Sequence, residues 1–590
     1  MKLILFDLGN TLESNDVLLP GALATLKAIS SLQAGDRPAA QLGLVSDFDM
    51  PRQPSEVHII QQRYYKLLDD LGIRTFFEPV QERVTLSTEV GVFKPDEAIF
   101  RAATSKVRPT LDFDDVLFVT ENLAHVLAAR SLGLSAVHLR GPGQPTGEVE
   151  TLPDLVPLVQ AFVEGEELVE TVVLDVPSDA NETALIVSRI AIPDVRWTRL
   201  GDVLVVLAPA TRAGQLVPGA ETADSARRLL APERHLNLVT QIGRLFQEDH
   251  PDVRVLVDKG RYLVVDVDAA AVPLADGPHA SSYAVRPLPA DTVVFDQRAA
   301  GPGRITAPVK EASVPADAVS RAAFEDDVGR LGRLCTRHSR SAEFLDALDW
   351  AAGRLADLGY ATHIQTAAVP GGTTRNLIAD SSGDGEDREL VLVTAHLDSV
   401  NSKGPDAAAP GADDNASGSA GVLAIGNALA GQSRRNDLRL ILFGGEEQGL
   451  FGSRHYVSGL DAAERARISA VINMDMIACQ NSSRATVLLE GAPASQAMID
   501  ALADIAQTHT SLDIQTSLNP FNSDHVPFLD LGIPAVLTIE GTDSANDRVH
   551  TDRDTLETLN ITLAMEILRM NVTFVAQTLD RNINIARPTS

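Results

Sequence analysis

His396 in VLVTAHLDS, Asp413 in PGADDNASG, Glu447 in LILFGGEEQG, Asp475 in AVINMDMI and His550 in RVHTDRDT are residues of metal-ligand type, each at the end of an apolar run or in the loop beyond one. Two imidazoles and three carboxylates suit a pair of zinc ions that share one bridging carboxylate. Co²⁺ or Mn²⁺ would also be accepted by such nitrogen and oxygen ligands. Glu446, beside Glu447, is then free to move protons, and the set points to hydrolytic chemistry. Asp398 stands two residues after His396, placed to accept the other ring N–H and fix the tautomer of a ligating imidazole. Adjacent glutamates among glycines, and an aspartate between methionines, are costly to bury without a cation. Any one of these residues alone also reads as a cap, a solvated acid or a satisfied histidine. Five such accidents at five strand ends or loops are improbable.

The elements that must position them are legible around them. VLVTAH, LRLILF and SAVINM are apolar runs of buried strands, and open α/β sheets collect functional groups at strand ends. PGADDNASGSAGVLAIGNAL reads as a loop entering a helix of small residues, with Asp414 and Asn415 as candidate caps and the backbone free to approach closely. Strands and helices alternate over residues 1–140 and again over 320–585, an α/β rhythm. Residues 165–300 hold short β-branched runs, including VRVLVDKGRYLVVDVD, a hairpin signal with Lys259-Gly260 at the turn. RGPGQPTGE and GPGRITAPVKEASVPADA read as linkers. The expected architecture is multidomain α/β. It has an N-terminal Rossmann-like domain, a small mixed α+β or β-rich middle domain, and a C-terminal α/β domain with a mostly parallel central sheet.

The bulk composition excludes some classes. A chain of 590 residues is too long for one core. A formal charge of −30 argues against nucleic acid or an anionic membrane as partner. Cys335 and Cys479 form no disulfide framework. No secretory signal pattern is visible, and no run approaches the roughly 20 apolar residues of a membrane span, so a cytoplasmic protein is expected. The middle domain carries no chemical motif. It is expected to shape access to the site, dock the N-terminal domain or mediate homo-oligomerisation.

The motifs HLDS, PGADDNASG, EEQGLFGS, NMDM and RVHTDRDT, in that order, resemble the M28 family of dizinc aminopeptidases over residues 320–585. The resemblance implies that Asp413 bridges both zinc ions. Glu447 and His550 would complete one site, His396 and Asp475 the other, with Glu446 as general base. It implies a peptide substrate and removal of N-terminal residues. Carboxypeptidase, dipeptidase or single-zinc cyclase activity on the same fold is the alternative. Ser523, Asp524 and His525 resemble a segment lining the family's pocket. Pro520 stands where some members have a tyrosine that assists the oxyanion. Glu540, after AVLTIE, is a candidate receiver of a substrate ammonium, and no arginine stands out as a carboxylate clamp.

FDLGNTL, LGLVSD, GVFKPDEAIF and DVLFVTENL resemble the four motifs of the haloacid dehalogenase-like superfamily over residues 1–140. By that resemblance Asp7 is the nucleophile, Ser46 contacts phosphate, Lys94 neutralises charge and Glu121 is the candidate Mg²⁺ ligand. Gly9 stands where a phosphatase has its second acid, and Val126 where a second metal-binding aspartate is usual. A degenerate domain is therefore expected, with a bifunctional phosphatase or dehalogenase as the alternative.

Overall fold

The computed structural model describes residues 2–34, 37–108, 110–144, 147–166, 168–176, 194–209, 227–272, 283–298 and 318–580. The second expected linker, 301–318, lies almost wholly outside these residues.

The N-terminal unit is built on a five-stranded sheet. Its order is Val84–Leu86, Ala40–Ser46, Lys2–Phe6, Val116–Thr120, Ser135–His138, and every pair is parallel. After Lys2 the central strand is apolar and buried, as a strand covered on both faces must be. The unit runs past residue 140. Leu155, Leu158 and Phe162 of helix Leu155–Glu164 share one core with Ile4 and Leu26. Part of the expected linker at 140–148 is also tied in. Glu148 is buried and accepts a hydrogen bond from Arg130 at 2.9 Å.

A second sheet of 13 strands crosses the boundary expected between the middle and C-terminal domains. From one edge, Arg227–Pro232, Leu168–Asp175, Val203–Pro209, Arg196–Leu200 and Thr292–Arg298 lead into Asp513–Ser517, Thr486–Glu490, Ala535–Glu540, Ile468–Met474, Leu390–His396, Asp437–Phe443, Gly372–Ser381 and Ala361–Val369. The join is the antiparallel pairing of Phe295 with Ser517 through Arg298 with Ile514. The middle segment, expected as a domain over 165–300, thus shares this sheet with the C-terminal region. Five of its strands extend the C-terminal sheet, joined where the open backbone edge of Thr292–Arg298 meets that of Asp513–Ser517. The remaining middle strands form a separate four-stranded antiparallel sheet containing the expected hairpin, Arg254–Lys259 with Tyr262–Asp266.

At the centre of the large sheet, Leu390–His396 pairs in parallel with Asp437–Phe443 and Ile468–Met474. Helix Gly418–Leu429 lies against these strands, and its glycines permit the approach. A Cβ on Gly418 would come 2.5 Å from the Met474 carbonyl oxygen, and one on Gly426 would come 2.7 Å from Leu440. Among the described residues no helix is long and apolar enough to cross a membrane.

Candidate active site

Three neighbouring parallel strands deliver the reactive side chains to one edge. His396 ends the first, Glu446 and Glu447 follow the second, and Asp475 follows the third. His396 Nε2 lies 3.1 Å from Asp475 Oδ1, and His550 Nε2 lies 2.8 Å from Glu447 Oε2. Asp414 stands between the two imidazoles, with Oδ1 3.4 Å from His396 Nε2 and Oδ2 3.2 Å from His550 Nε2. Glu446 is buried in the cluster with His396 and Asp475.

The carboxylate between the two imidazoles is thus Asp414, whereas the expectation placed Asp413 there. Asp413 turns the other way. Its Oδ1 accepts from the Ala478 amide at 2.9 Å and the Ser417 hydroxyl at 3.1 Å, and its Oδ2 accepts from Asn546 at 3.2 Å. Two neighbours in an extended turn cannot face the same way. The turn itself is held by Asp554, whose two oxygens accept from the Asp413 and Asp414 amides at 2.9 Å each. Asn415 fastens the other side, donating to the Met474 carbonyl at 3.0 Å. Arg337, fully buried, donates to the carbonyls of Leu397 and Gly411 at 2.8 Å each and so ties the His396 strand to this loop.

Asp398 orients His396 by a different atom from the one expected. Its backbone carbonyl sits 3.1 Å from His396 Nδ1, whereas its carboxylate is 3.7 Å away. That carboxylate instead accepts from the Glu446 and Glu447 amides at 3.3 and 3.4 Å, fixing the glutamate loop. Ser523 donates to Asp475 Oδ2 at 2.7 Å, so it positions that carboxylate. Asp524 and His525 are wholly buried and do not line the cavity. Glu540 is likewise buried and away from the cavity. It accepts from the Cys479 amide at 2.6 Å and from Asn481 at 2.8 Å, and is unavailable to a substrate ammonium, contrary to the sequence expectation.

The electrostatics of the cluster call for a cation. Asp414, Glu446, Glu447 and Asp475 converge with two histidines and, among the described residues, no lysine or arginine bonded to them. Burial, then the charges of Asp475 and Glu447, push the Glu446 carboxyl well above its ordinary range, with His396 opposing. Burial lifts Glu447 to about 7. Burial also acts on Asp414, but hydrogen bonds from His396 and His550 hold it below the usual range. Glu447 Oε1 is buried without a hydrogen-bond partner among the described residues. Buried carboxylates are normally paired or bound to metal. The histidine nitrogens and carboxylate oxygens facing one another form a donor set that fits divalent ions. The cluster opens into a cavity of about 640 Å³.

The N-terminal candidates also converge, at the carboxyl ends of the five-stranded sheet. Lys94 Nζ pairs with Asp7 Oδ2 and donates to the Val45 carbonyl at 3.2 Å. Ser46 shares a 2.7 Å hydrogen bond with Tyr64, and Glu121 accepts from Thr11 at 2.7 Å. A Cβ on Gly9 would stand 3.8 Å from Glu13 Oε1.

The C-terminal sheet and this cluster define an α/β protein with a metal-ligating pocket at the carboxyl ends of parallel strands. Residues 376–575 match the model of Peptidase family M28, so the C-terminal region carries a domain of that family. The chain is 35% identical over 215 residues to leupeptin-inactivating enzyme 1 of Streptomyces exfoliatus, covering 35% of this chain and 44% of that protein. It is 31% identical over 172 residues to aminopeptidase YwaD of Bacillus subtilis, covering 29% and 36% of the two chains. The chain spans less than half the length of these curated relatives. Among solved structures, BSAP, a zinc aminopeptidase from Bacillus subtilis, aligns with a TM-score of 0.40 at 16% identity, over 46% of this chain and 98% of that one.

Proposed function

We propose that the C-terminal region is a metal-dependent aminopeptidase using two zinc ions. The observation that carries this reading is Asp414, with one carboxylate oxygen toward each of two histidines. His396 and Asp475 would hold one ion, His550 and Glu447 the other, and Asp414 both. When bound, the ions supply Lewis acidity and lower the pKa of a water. Glu446 takes the proton of the attacking water and returns it to the leaving amine. The Asp398 carboxylate, through the two amides it binds, keeps Glu446 and Glu447 at their stations. The substrates are peptides with a free amino terminus. A relative named as an aminopeptidase supports this choice over a carboxypeptidase or dipeptidase. Two free cysteines, one of them exposed, support a cytoplasmic setting.

The test is a panel of free-amino and N-blocked peptides, with metal added and after chelation. Hydrolysis of free-amino peptides alone, abolished by chelation, is expected. Release of C-terminal residues would overturn the specificity, and cleavage indifferent to chelation would overturn the metal.

A second reading concerns the N-terminal unit, and the ion pair of Asp7 with buried Lys94 favours it. We propose a haloacid dehalogenase-like phosphate site there, with Ser46 and Glu121 beside the pair and Mg²⁺ as its ion. Loss of Mg²⁺-dependent p-nitrophenyl phosphate hydrolysis in Asp7→Asn would support it. No hydrolysis by the wild type would leave a degenerate unit.

A further inference from the structure

The cavity that holds the metal-ligating cluster has a wall from outside the family match. Ile242, Gly243, Arg244, Leu245 and Glu248 line it together with residues of 396–553, whereas the match begins at 376. This wall is pinned in place. Gln241 accepts from the Phe246 amide at 3.1 Å and donates to the Gly260 carbonyl at 2.8 Å, so the turn is tied to the hairpin tip. The next residue, Arg261, is buried between Glu490 and Asp543 of the C-terminal region. Phe246 is fully buried and packs on His250 and Tyr283. The wall therefore reaches the cavity as a fixed surface.

Both signs of charge line the cavity, which holds the four carboxylates and two histidines of the cluster. The arginines lining it are Arg244 and Arg553. Arg553 is engaged by Asp547, at 3.1 Å to the carboxylate and again at its backbone carbonyl. Arg244 makes one side-chain contact among the described residues, 3.4 Å to Asp258, and its side chain is 55% exposed. A planar guanidinium with donors to spare is the group that receives a carboxylate. Glu248 shares the wall and opposes such binding, which gives the arrangement an internal control. A cavity of about 640 Å³ falls within the roughly 300–1,000 Å³ of small-ligand sites, not an open protein-binding groove.

We propose that this wall makes the site selective for short peptides with a free α-carboxylate, and that Arg244 binds that carboxylate. The inference rests on the aminopeptidase reading for the direction in which the peptide lies, amino end at the metals and carboxyl end at the wall.

The experiment uses the full chain loaded with zinc. Hydrolysis is followed for Leu-Gly-Gly, its C-terminal amide and a ten-residue peptide with the same amino end. Binding of the tripeptide acid and amide is measured by calorimetry in the slow variant Glu446→Gln, with and without Arg244→Gln. The acid should bind about 10- to 100-fold tighter than the amide, a loss typical of one charge-assisted pair. Arg244→Gln should bring the acid down to the amide, chiefly through KM. Arg244→Lys should restore part of the difference, and Glu248→Gln should widen it. Equal affinity for acid and amide with Arg244 present, or an equal loss of both in Arg244→Gln, overturns the proposal. So does a ten-residue peptide cut as fast as the tripeptide. A binding preference that depends on Arg244 without hydrolysis of any peptide would keep Arg244 and sink the aminopeptidase reading instead.

Discussion

Arg261, at the tip of a hairpin in the middle segment, grips Glu490 of the C-terminal sheet through two donors, Nε at 3.0 Å and Nη2 at 3.1 Å. Both side chains are buried, and 229 residues of sequence separate them. Asp543 accepts from the same guanidinium at 2.8 Å, the Phe521 carbonyl accepts at 3.1 Å, and Tyr262 also bonds Glu490. A buried arginine with its donors so taken up is a bolt between two parts of the chain. Removing it leaves two buried carboxylates. Arg261→Met should therefore destabilise the protein by about 3–5 kcal/mol. Pairing it with Glu490→Leu should recover part of that loss. Urea denaturation of the single and double variants checks this, and a loss below about 1 kcal/mol would show that the pair does not hold the units together.

The same pair sets a pH dependence. Burial acts to raise the Glu490 carboxyl, but Arg261 and His525 outweigh it and bring the group to about 2, below its ordinary 4.5. A carboxyl depressed in the folded state stabilises above its unfolded pKa, and the gain disappears as pH falls through the folded value. The stability difference between wild type and Glu490→Gln should thus be full at pH 6, begin to shrink near pH 4.5 and be nearly gone at pH 2. Its plateau is at most about 3 kcal/mol. Asp543, raised by burial despite the same arginine, acts in the opposite sense and flattens the wild-type curve. Thermal unfolding against pH for the two proteins is the measurement, and a pH-independent difference would be the contrary outcome.

Neighbouring aspartates should behave differently. Asp414→Asn removes the carboxylate between the two histidines, and should cost at least one bound metal per chain and about a thousandfold in kcat. Asp413→Asn acts on a group bonded to Ala478, Ser417 and Asn546. It should weaken metal affinity by about 10- to 100-fold at most, as outer partners of ligands do, and lower Tm. Metal content by mass spectrometry separates the two. Equal metal loss in both would return the bridge to ambiguity.

Under the proposed function Glu446 transfers a proton and does not ligate. Glu446→Gln should keep both metals and KM within a few-fold while kcat falls by about 10²–10⁴. Loss of metal in this variant would recast Glu446 as a ligand.

Much of the site was legible because burying a charged residue is expensive. His396, Glu447, Asp475 and His550 follow apolar runs or lie in polar loops, and a carboxylate or imidazole placed there needs a reason. The strands that carry three of them were visible for the same reason, since continuous apolar runs form strands covered on both faces. The choice between Asp413 and Asp414 was not legible. Gly411 in a left-handed conformation opens the loop, and Asp554, far along the chain, clamps its amides. Glu540 carried a plausible charge after a strand, yet packing turned it inward onto Cys479 and Asn481.

Composition, hydrophobic patterning and turn chemistry are local quantities, and they determined the strands, the helix of small residues, the hairpin at Gly260 and the residue types of the buried histidine–carboxylate cluster. Which edges pair, which of two aspartates faces the histidines, and that Arg244 lines the same cavity as His396 depend on contacts between segments hundreds of residues apart. Those contacts are set by the free energy of the whole packed chain. No local pattern encodes them, so the tertiary structure alone decided them.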